Sequence, residues 1–261
     1  MSEVLIGVVE KVTEHAAALR PRVAAKSPRV HCITNTVAQA FTANMLLAAG
    51  ATPSVTTSPE EIAGFVASAD NLLVNLGTLD RERREAIGLA LDAATARGLP
   101  WVLDPVFVDR SAPRLEFART LLARKPAVIR LNAAELAALA GEAASPNCAH
   151  KFARQSGAIV AVTGEIDIVT DGERLINLQN GDELMSKVTA MGCAESAFVA
   201  SALAVESDRW LATAAAMMVF GIAGERAAEE SDGPGSLAVA MLDCLHGMTA
   251  ETVEQYAWAE A

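Results

Sequence analysis

Apolar positions follow two patterns along this chain. Where they run together, in blocks of about four or five, they read as strands buried on both faces. Such blocks are Val30-His31-Cys32-Ile33, Leu72 to Leu76, Trp101-Val102-Leu103, Ala127 to Arg130 and Ala158 to Val162. Where they recur at every third or fourth residue they predict helices. The first runs from about Val4 to Ala25 through Val8, Val12, Ala16 and Leu19, with Pro21 expected to end or kink it. Others are Val37 to Ala49 closed by Gly50, one opened by Ser58-Pro59-Glu60-Glu61, and Asp80 to Arg97 closed by Gly98. Leu115 to Ala123 follows, then a helix capped by Asn132 and running to Ala140. Thr52 to Thr56 is strand-like. Ile166 to Thr170 and Arg174 to Leu178 flank Asp171-Gly172 and read as a hairpin. From Gly192 onward the chain is helical, with a break near Ser231 to Ser236. Strands alternating with helices predict an α/β fold with a mostly parallel sheet covered on both faces. No repeat or linker divides the chain, so residues 1–261 are expected to form a single domain.

Composition narrows the partners. The net charge is -11, so a nucleic-acid backbone is not an expected ligand. Any anionic ligand needs local positive groups against that field. Cys32, Cys148, Cys193 and Cys244 are scattered, with no CxxC and no Cys/His metal spacing. That suits a reduced, cytoplasmic protein. The start of the chain does not read as a secretory signal. The apolar stretch from Trp210 to Gly224 is interrupted by Thr213 and Gly221, falls short of a membrane span, and reads as a core helix.

In sheets of this kind ligands bind beyond the carboxyl ends of the strands. Five apolar strands end there in polar or small residues: Thr34-Asn35, Gly77-Thr78, Asp104-Pro105, Arg130-Leu131-Asn132 and Thr163-Gly164. Asp104 and Glu135 are acids just past strand ends, a donor type that suits a hard cation such as Mg2+. Glu135 also reads as a first-turn acid favoured by the helix dipole. Arg130 has the planar fork that holds phosphate, or serves a surface ion pair. No GxxxxGK[ST] occurs, so any nucleotide binds without that loop.

The stretch from Met185 to Cys193 carries the sharpest chemistry. A strand-like approach turns at Gly192 into a run of small residues, Ala194 to Ala204, that reads as a buried helix. Cys193 then lies in the first turn, where free N–H groups favour an anion. With Lys187 close in sequence, its thiol is expected to have a lowered pKa and to act as base or nucleophile. The plain alternative is a small apolar residue at a helix start. No histidine stands out as a partner base: His15 lies in the first helix, and His31, His150 and His246 lack a suitable context.

Several blocks, ordered over most of the chain, resemble the hydroxyethylthiazole kinase family. They are Val30-His31-Cys32-Ile33-Thr34-Asn35-Thr36-Val37, Thr42-Ala43-Asn44, Leu46 to Pro53, Asn75-Leu76-Gly77-Thr78-Leu79 and Leu103-Asp104-Pro105-Val106. Val162 to Asp167, Met185-Ser186-Lys187-Val188-Thr189 and Gly233-Pro234-Gly235-Ser236 complete the set. The resemblance implies a three-layer ribokinase-like fold without a lid, assembled as a homotrimer with sites at subunit interfaces. It implies transfer of the ATP γ-phosphate to the primary alcohol of 4-methyl-5-(2-hydroxyethyl)thiazole in thiamine salvage, with Mg2+. By the same resemblance Cys193 is the base near the substrate hydroxyl, Arg130 and Thr163 contact ATP, and Asp104 and Glu135 lie near Mg2+. Asn35 and Gly192 belong to the motifs beside the phosphates.

The departures gather at the ligand edge. The family's Gly-Thr-Gly-Cys is here Ala190-Met191-Gly192-Cys193, and its Arg-Gly-Asn is Arg130-Leu131-Asn132. A methionine lining the thiazole site is Val55, and the small residues after Asp104-Pro105-Val106 become Phe107-Val108-Asp109-Arg110. A Gly-Val-Asp segment expected after Gly141 is absent, the chain passing directly from Glu142 to Asn147. Three readings stay open on these residues: an active kinase of a small alcohol, a relative that binds without efficient transfer, and an enzyme using Cys193 as covalent nucleophile.

Overall fold

The computed structural model describes residues 2–261, with side chains from Gly7 onward. Nine strands form one sheet: β1 (Arg29–Ile33), β2 (Thr52–Ser54), β3 (Asn71–Asn75), β4 (Trp101–Asp104), β5 (Val128–Asn132), β6 (Ile159–Thr163), β7 (Asp167–Thr170), β8 (Leu175–Leu178) and β9 (Ala259–Glu260). Their order is β2-β1-β3-β4-β5-β6-β7-β8-β9. The pairings from β2 to β6 are parallel, and those from β6 to β9 antiparallel. All five predicted strand ends therefore meet at one edge.

Alternation along each strand sends side chains to two cores. Val30, Cys32, Leu73, Val102, Val128 and Ala161 point to one. Ile33, Leu72, Val74, Leu103, Ile129 and Val160 point to the other. The first core is covered by α1 (Ser2–Lys26), α2 (Gln39–Ala49), α8 (Met191–Ala202), α9 (Arg209–Glu229), α10 (Pro234–His246) and α11 (Ala250–Tyr256). The second lies under α3 (Ile62–Ser68), α4 (Arg81–Arg97), α5 (Ala112–Leu122), α6 (Ala133–Ala140) and α7 (Pro146–Ser156). Gly50 and Gly98 close α2 and α4 at φ 93° and 62°, the left-handed conformation for which glycine has no Cβ penalty.

Several local expectations are corrected. Pro21 does not end α1, which continues to Lys26. Leu19 and Val23 on either side are buried in the first core, and that packing outweighs the roughly 3 kcal/mol cost of an internal proline. The helix after Ser58 begins only at Ile62. The helix α7, which the sequence pattern did not announce, is capped by Ser145, whose side chain accepts from Cys148 N–H at 3.0 Å. The approach to Cys193 is a 310 turn, Glu183–Lys187, rather than a strand; Asp182 caps it by accepting from Leu184 N–H at 2.8 Å. The Trp210 to Gly224 stretch lies in a longer helix than the apolar run alone implies. The 21 residues of α9 are long and apolar enough to cross a membrane, but most of them are buried inside the protein, as a core helix requires.

Candidate active site

The site gathers around the first turn of α8. Ala190 caps this helix at φ 72°. Gly192 and Cys193 precede the first acceptor-matched bond, Ala194 N–H to Ala190 C=O at 2.9 Å, so their N–H groups are available to an anion. A Cβ on Gly192 would lie 2.5 Å from Arg130 Nη1. The guanidinium thus lies across bare backbone, and only glycine allows the approach.

Arg130, at the middle of β5 rather than at its end, donates from Nε and Nη2 to Glu195 Oε2 at 3.0 and 2.7 Å. Burial opposes its charge, but Glu195, Asp104 and Asp167 outweigh that and hold it more firmly protonated than usual. A cleft of about 790 Å³ opens beside it. Thr163, Asp167, Met191 and Gly192 line that cleft with Arg130 and Glu195.

On the other side of the α8 turn a polar network links β3, β4 and the loop after β1. Asn75 Nδ2 donates to Asp104 Oδ2 at 2.7 Å and to Cys193 Sγ at 3.2 Å. Asn35 Nδ2 donates to Cys193 Sγ and to Asn75 Oδ1, both at 3.3 Å, while its Oδ1 accepts from Ala38 N–H at 2.9 Å. Ser196 Oγ donates to Asp104 Oδ2 at 3.0 Å. Gly77 carries no Cβ because one would lie 2.6 Å from that of Asn35.

The expected lowering of the Cys193 pKa is overturned. Burial, helped by the charge of Asp104, pushes the thiol up to about 12, against the opposing pull of Asn35, Arg130 and Asn75. The helix start is outweighed because the sulfur is nearly enclosed and faces a carboxylate. Lys187 is exposed on the 310 turn and is not among the charges acting on the thiol. The resting group is a thiol, which removes the basis for a ready covalent nucleophile. His31 offers no base either: it is fully buried, its Nδ1 pairs with Ser54 Oγ at 2.8 Å, and burial pushes its pKa down to about 4.

Asp104 and Glu135 are the two acids expected to face a metal. Asp104 is buried, and desolvation pushes its carboxyl up to about 6; Arg130 acts against this, and Glu135 adds to it. Glu135 has a further task. Its Oε2 accepts from Asn132 N–H at 2.9 Å, closing a capping box, and its Oε1 accepts from Phe107 N–H at 2.8 Å. Each oxygen keeps one lone pair. Among the described residues no group of three or more His, Cys, Asp or Glu is arranged to hold a metal. Two neighbouring carboxylates, one of them resisting ionisation, nonetheless fit a hard cation that takes its other oxygens from water and phosphate.

Of the residues singled out, Arg130, Thr163 and Gly192 line the cleft, while Asn35, Asp104 and Cys193 share the network behind it. Ala190 is the cap of the helix whose first turn carries Gly192 and Cys193. Val55 lies apart, half-buried against the first core. Asn75, Glu195 and Ser196 were missed as site residues. Asn75 stood at a strand end and was legible in principle. Glu195 and Ser196 sit in a helix, and only the i, i+3 spacing from Cys193 to Ser196 hinted at a shared face.

A model of the hydroxyethylthiazole kinase family matches residues 21–251. The chain is 50% identical over 238 residues to a hydroxyethylthiazole kinase of Pectobacterium carotovorum, covering 86% of this chain and 90% of that one. A hydroxyethylthiazole kinase structure from Pyrococcus horikoshii superposes with a TM-score of 0.90 at 35% identity, covering 95% of this chain and 98% of the other. A ribokinase-like superfamily protein of Enterococcus faecalis shares the fold at a TM-score of 0.67 and 13% identity, covering 85% and 87% of the two chains.

Proposed function

Because the chain belongs to the hydroxyethylthiazole kinase family, we propose that it transfers the γ-phosphate of ATP to the primary alcohol of 4-methyl-5-(2-hydroxyethyl)thiazole, in thiamine salvage. The observation that carries this reading is the convergence of two half-sites on one helix start. Arg130 and Gly192 face a cleft on one side, and the Cys193–Asn75–Asp104 network lies on the other. In this reading ATP enters the cleft past Thr163, with Arg130 and the Gly192 and Cys193 N–H groups on its phosphates. The alcohol approaches from the Cys193 side.

Phosphoryl transfer needs position and charge neutralisation more than a strong base. Helix N–H donors fixed at the α8 start supply the second without rearranging. Mg2+, when bound, neutralises phosphate charge; Asp104 would hold it, with Glu135 behind. Cys193 takes the alcohol proton in its thiolate form, a minor state that the donating Asn35 and Asn75 amides favour, and does so only late, once the new P–O bond has made that proton acidic. Ala190 borders the thiazole in this reading, and Asn35 keeps Cys193 oriented beside the phosphates. The chain works in the cytoplasm as a homotrimer, with all four cysteines free.

A steady-state screen of primary alcohols with ATP and Mg2+ tests the proposal. The thiazole alcohol is expected to be the preferred acceptor, and Cys193→Ala to lower kcat by about 10- to 100-fold with little change in the KM for ATP. Nucleotide binding with no phosphorylated thiazole would sink it, and unchanged turnover in the variant would remove Cys193 from the mechanism.

A further inference from the structure

The cleft beside α8 has an unusual charge balance for an anion site. Glu165, Asp167, Asp182, Glu183 and Glu195 line it, against Arg130 alone. An arginine free to move there would be drawn toward any of several carboxylates. Arg130 is not free. Glu195 Oε2 engages both Nε and Nη2, at 3.0 and 2.7 Å, and both side chains are nearly buried, with 14% and 8% of their surface exposed. Nη1 makes no hydrogen bond among the described residues and lies against the bare backbone of Gly192. The same helix turn thus presents Nη1 and the free N–H groups to one point.

Resting on the kinase reading above, we propose that Glu195 is a positioning residue for nucleotide binding, fixing Arg130 so that Nη1 is the donor offered to phosphate, with Asp167 balancing the charge of the pair. With Asp167 ionised, the three side chains sum to a charge of -1 beside the incoming phosphates; with Asp167 protonated they sum to zero. Asp167 is placed for the second state. Burial and then the charge of Glu195 push its carboxyl up to about 7, against the Gly164 N–H, which donates to it at 2.9 Å, and Arg130. The groups around it are Arg130 on β5, Glu195 on α8, Glu165 on its own turn, and Asp182 and Glu183 across the cleft. Four of these five are acids, so the surroundings favour the neutral form. As pH rises through this range the cluster gains negative charge, and ATP binding weakens.

Steady-state kinetics with ATP and Mg2+ as the varied substrate test this on the full-length protein. Glu195→Gln keeps the shape but loses the charge that anchors Arg130, and is expected to raise the KM for ATP about tenfold while moving the KM for the alcohol less than about twofold. Glu195→Asp is expected to restore part of the loss. In the unsubstituted protein the KM for ATP rises between about pH 6 and about pH 8.5, and Asp167→Asn flattens that rise. A purely structural role would lower the melting temperature and the active fraction and leave the KM for ATP in place. An unchanged KM for ATP in a folded Glu195→Gln protein overturns the inference, as does a pH profile that Asp167→Asn leaves unaltered. Should Glu195→Gln fail to fold, the Asp167→Asn profile decides. Arg130→Lys separates this outcome from failure of the kinase reading. If its KM for ATP is unchanged, the nucleotide assignment falls; if that KM moves in Arg130→Lys and not in Glu195→Gln, only the role of Glu195 falls.

Discussion

Ala190 holds φ at 72°, a conformation glycine adopts freely and other L-residues enter at a cost of about 1–2 kcal/mol. Its position one residue before α8 puts that strain at the cap of the helix that carries Gly192 and Cys193. Replacing it by glycine removes a Cβ from a left-handed position. The gain is offset in part by the greater freedom of glycine in the unfolded chain. Ala190→Gly is therefore expected to stabilise the protein by about 0.5–1 kcal/mol in a denaturant titration. A loss of stability would mean that the alanine methyl packs favourably enough to outweigh its backbone strain. Cys193 illustrates the competing forces at a single residue. Its place in a first turn favours a thiolate, but enclosure and the nearby Asp104 carboxylate favour the thiol, and enclosure wins because the pull of Arg130 and the two asparagine amides is too small to offset it.

At the scale of elements, α8 and α9 do different work. One turn of α8 delivers Cys193, Glu195 and Ser196 to three partners on three strands: Asn75, Arg130 and Asp104. The helix α9 forms part of the cleft wall through Phe220 and Gly221. A Cβ on Gly221 would lie 2.7 Å from the Asn180 carbonyl oxygen, which is backbone and cannot simply rotate away. Asn180 in turn donates to Glu225 Oε2 at 3.0 Å and to the Tyr256 carbonyl at 2.8 Å, and accepts from Trp258 N–H at 3.0 Å. Gly221→Ala is thus expected to destabilise by about 1–3 kcal/mol, read as a lower denaturation midpoint. A neutral result would show that the 179–182 segment yields without loss. Glu135 works as a strut: one carboxylate joins the β4–α5 loop at Phe107 to the start of α6 at Asn132, and the proposed metal-facing role would have to share the same two oxygens.

For the whole molecule, the apolar surface left uncovered bears on assembly. Val37 and Leu47 remain 69% and 59% exposed at either end of the segment that includes α2. Asn35, two residues before Val37, belongs to the Cys193 network. Burying these side chains against a second copy is favourable by roughly 25 cal/mol per Å², and it places an interface beside the candidate alcohol site. Light scattering is expected to give the mass of three chains, with Val37→Asp plus Leu47→Asp shifting it toward one. A single-chain mass for the unsubstituted protein would refute the trimer.

The sequence by itself determined the layered α/β arrangement, the strands and most helices, and the edge at which polar residues collect. Uninterrupted apolar blocks and capping residues are local signals, and they survive into the fold because packing agrees with them. It also carried the resemblance that named the reaction class, on blocks such as Val30 to Val37 and Met185 to Thr189. Pro21 and the 310 turn before Cys193 escaped local reading because core burial and a cap by Asp182 overrode propensity there. Only the tertiary structure decided the protonation of Cys193, the capture of Arg130 by Glu195 and the second bond of Glu135, to the Phe107 loop. Each depends on burial and on charges brought together from residues as far apart as 35 and 193 or 130 and 195. Such interactions have no local pattern, since desolvation and Coulomb energies are set by distances that exist only after the chain has folded.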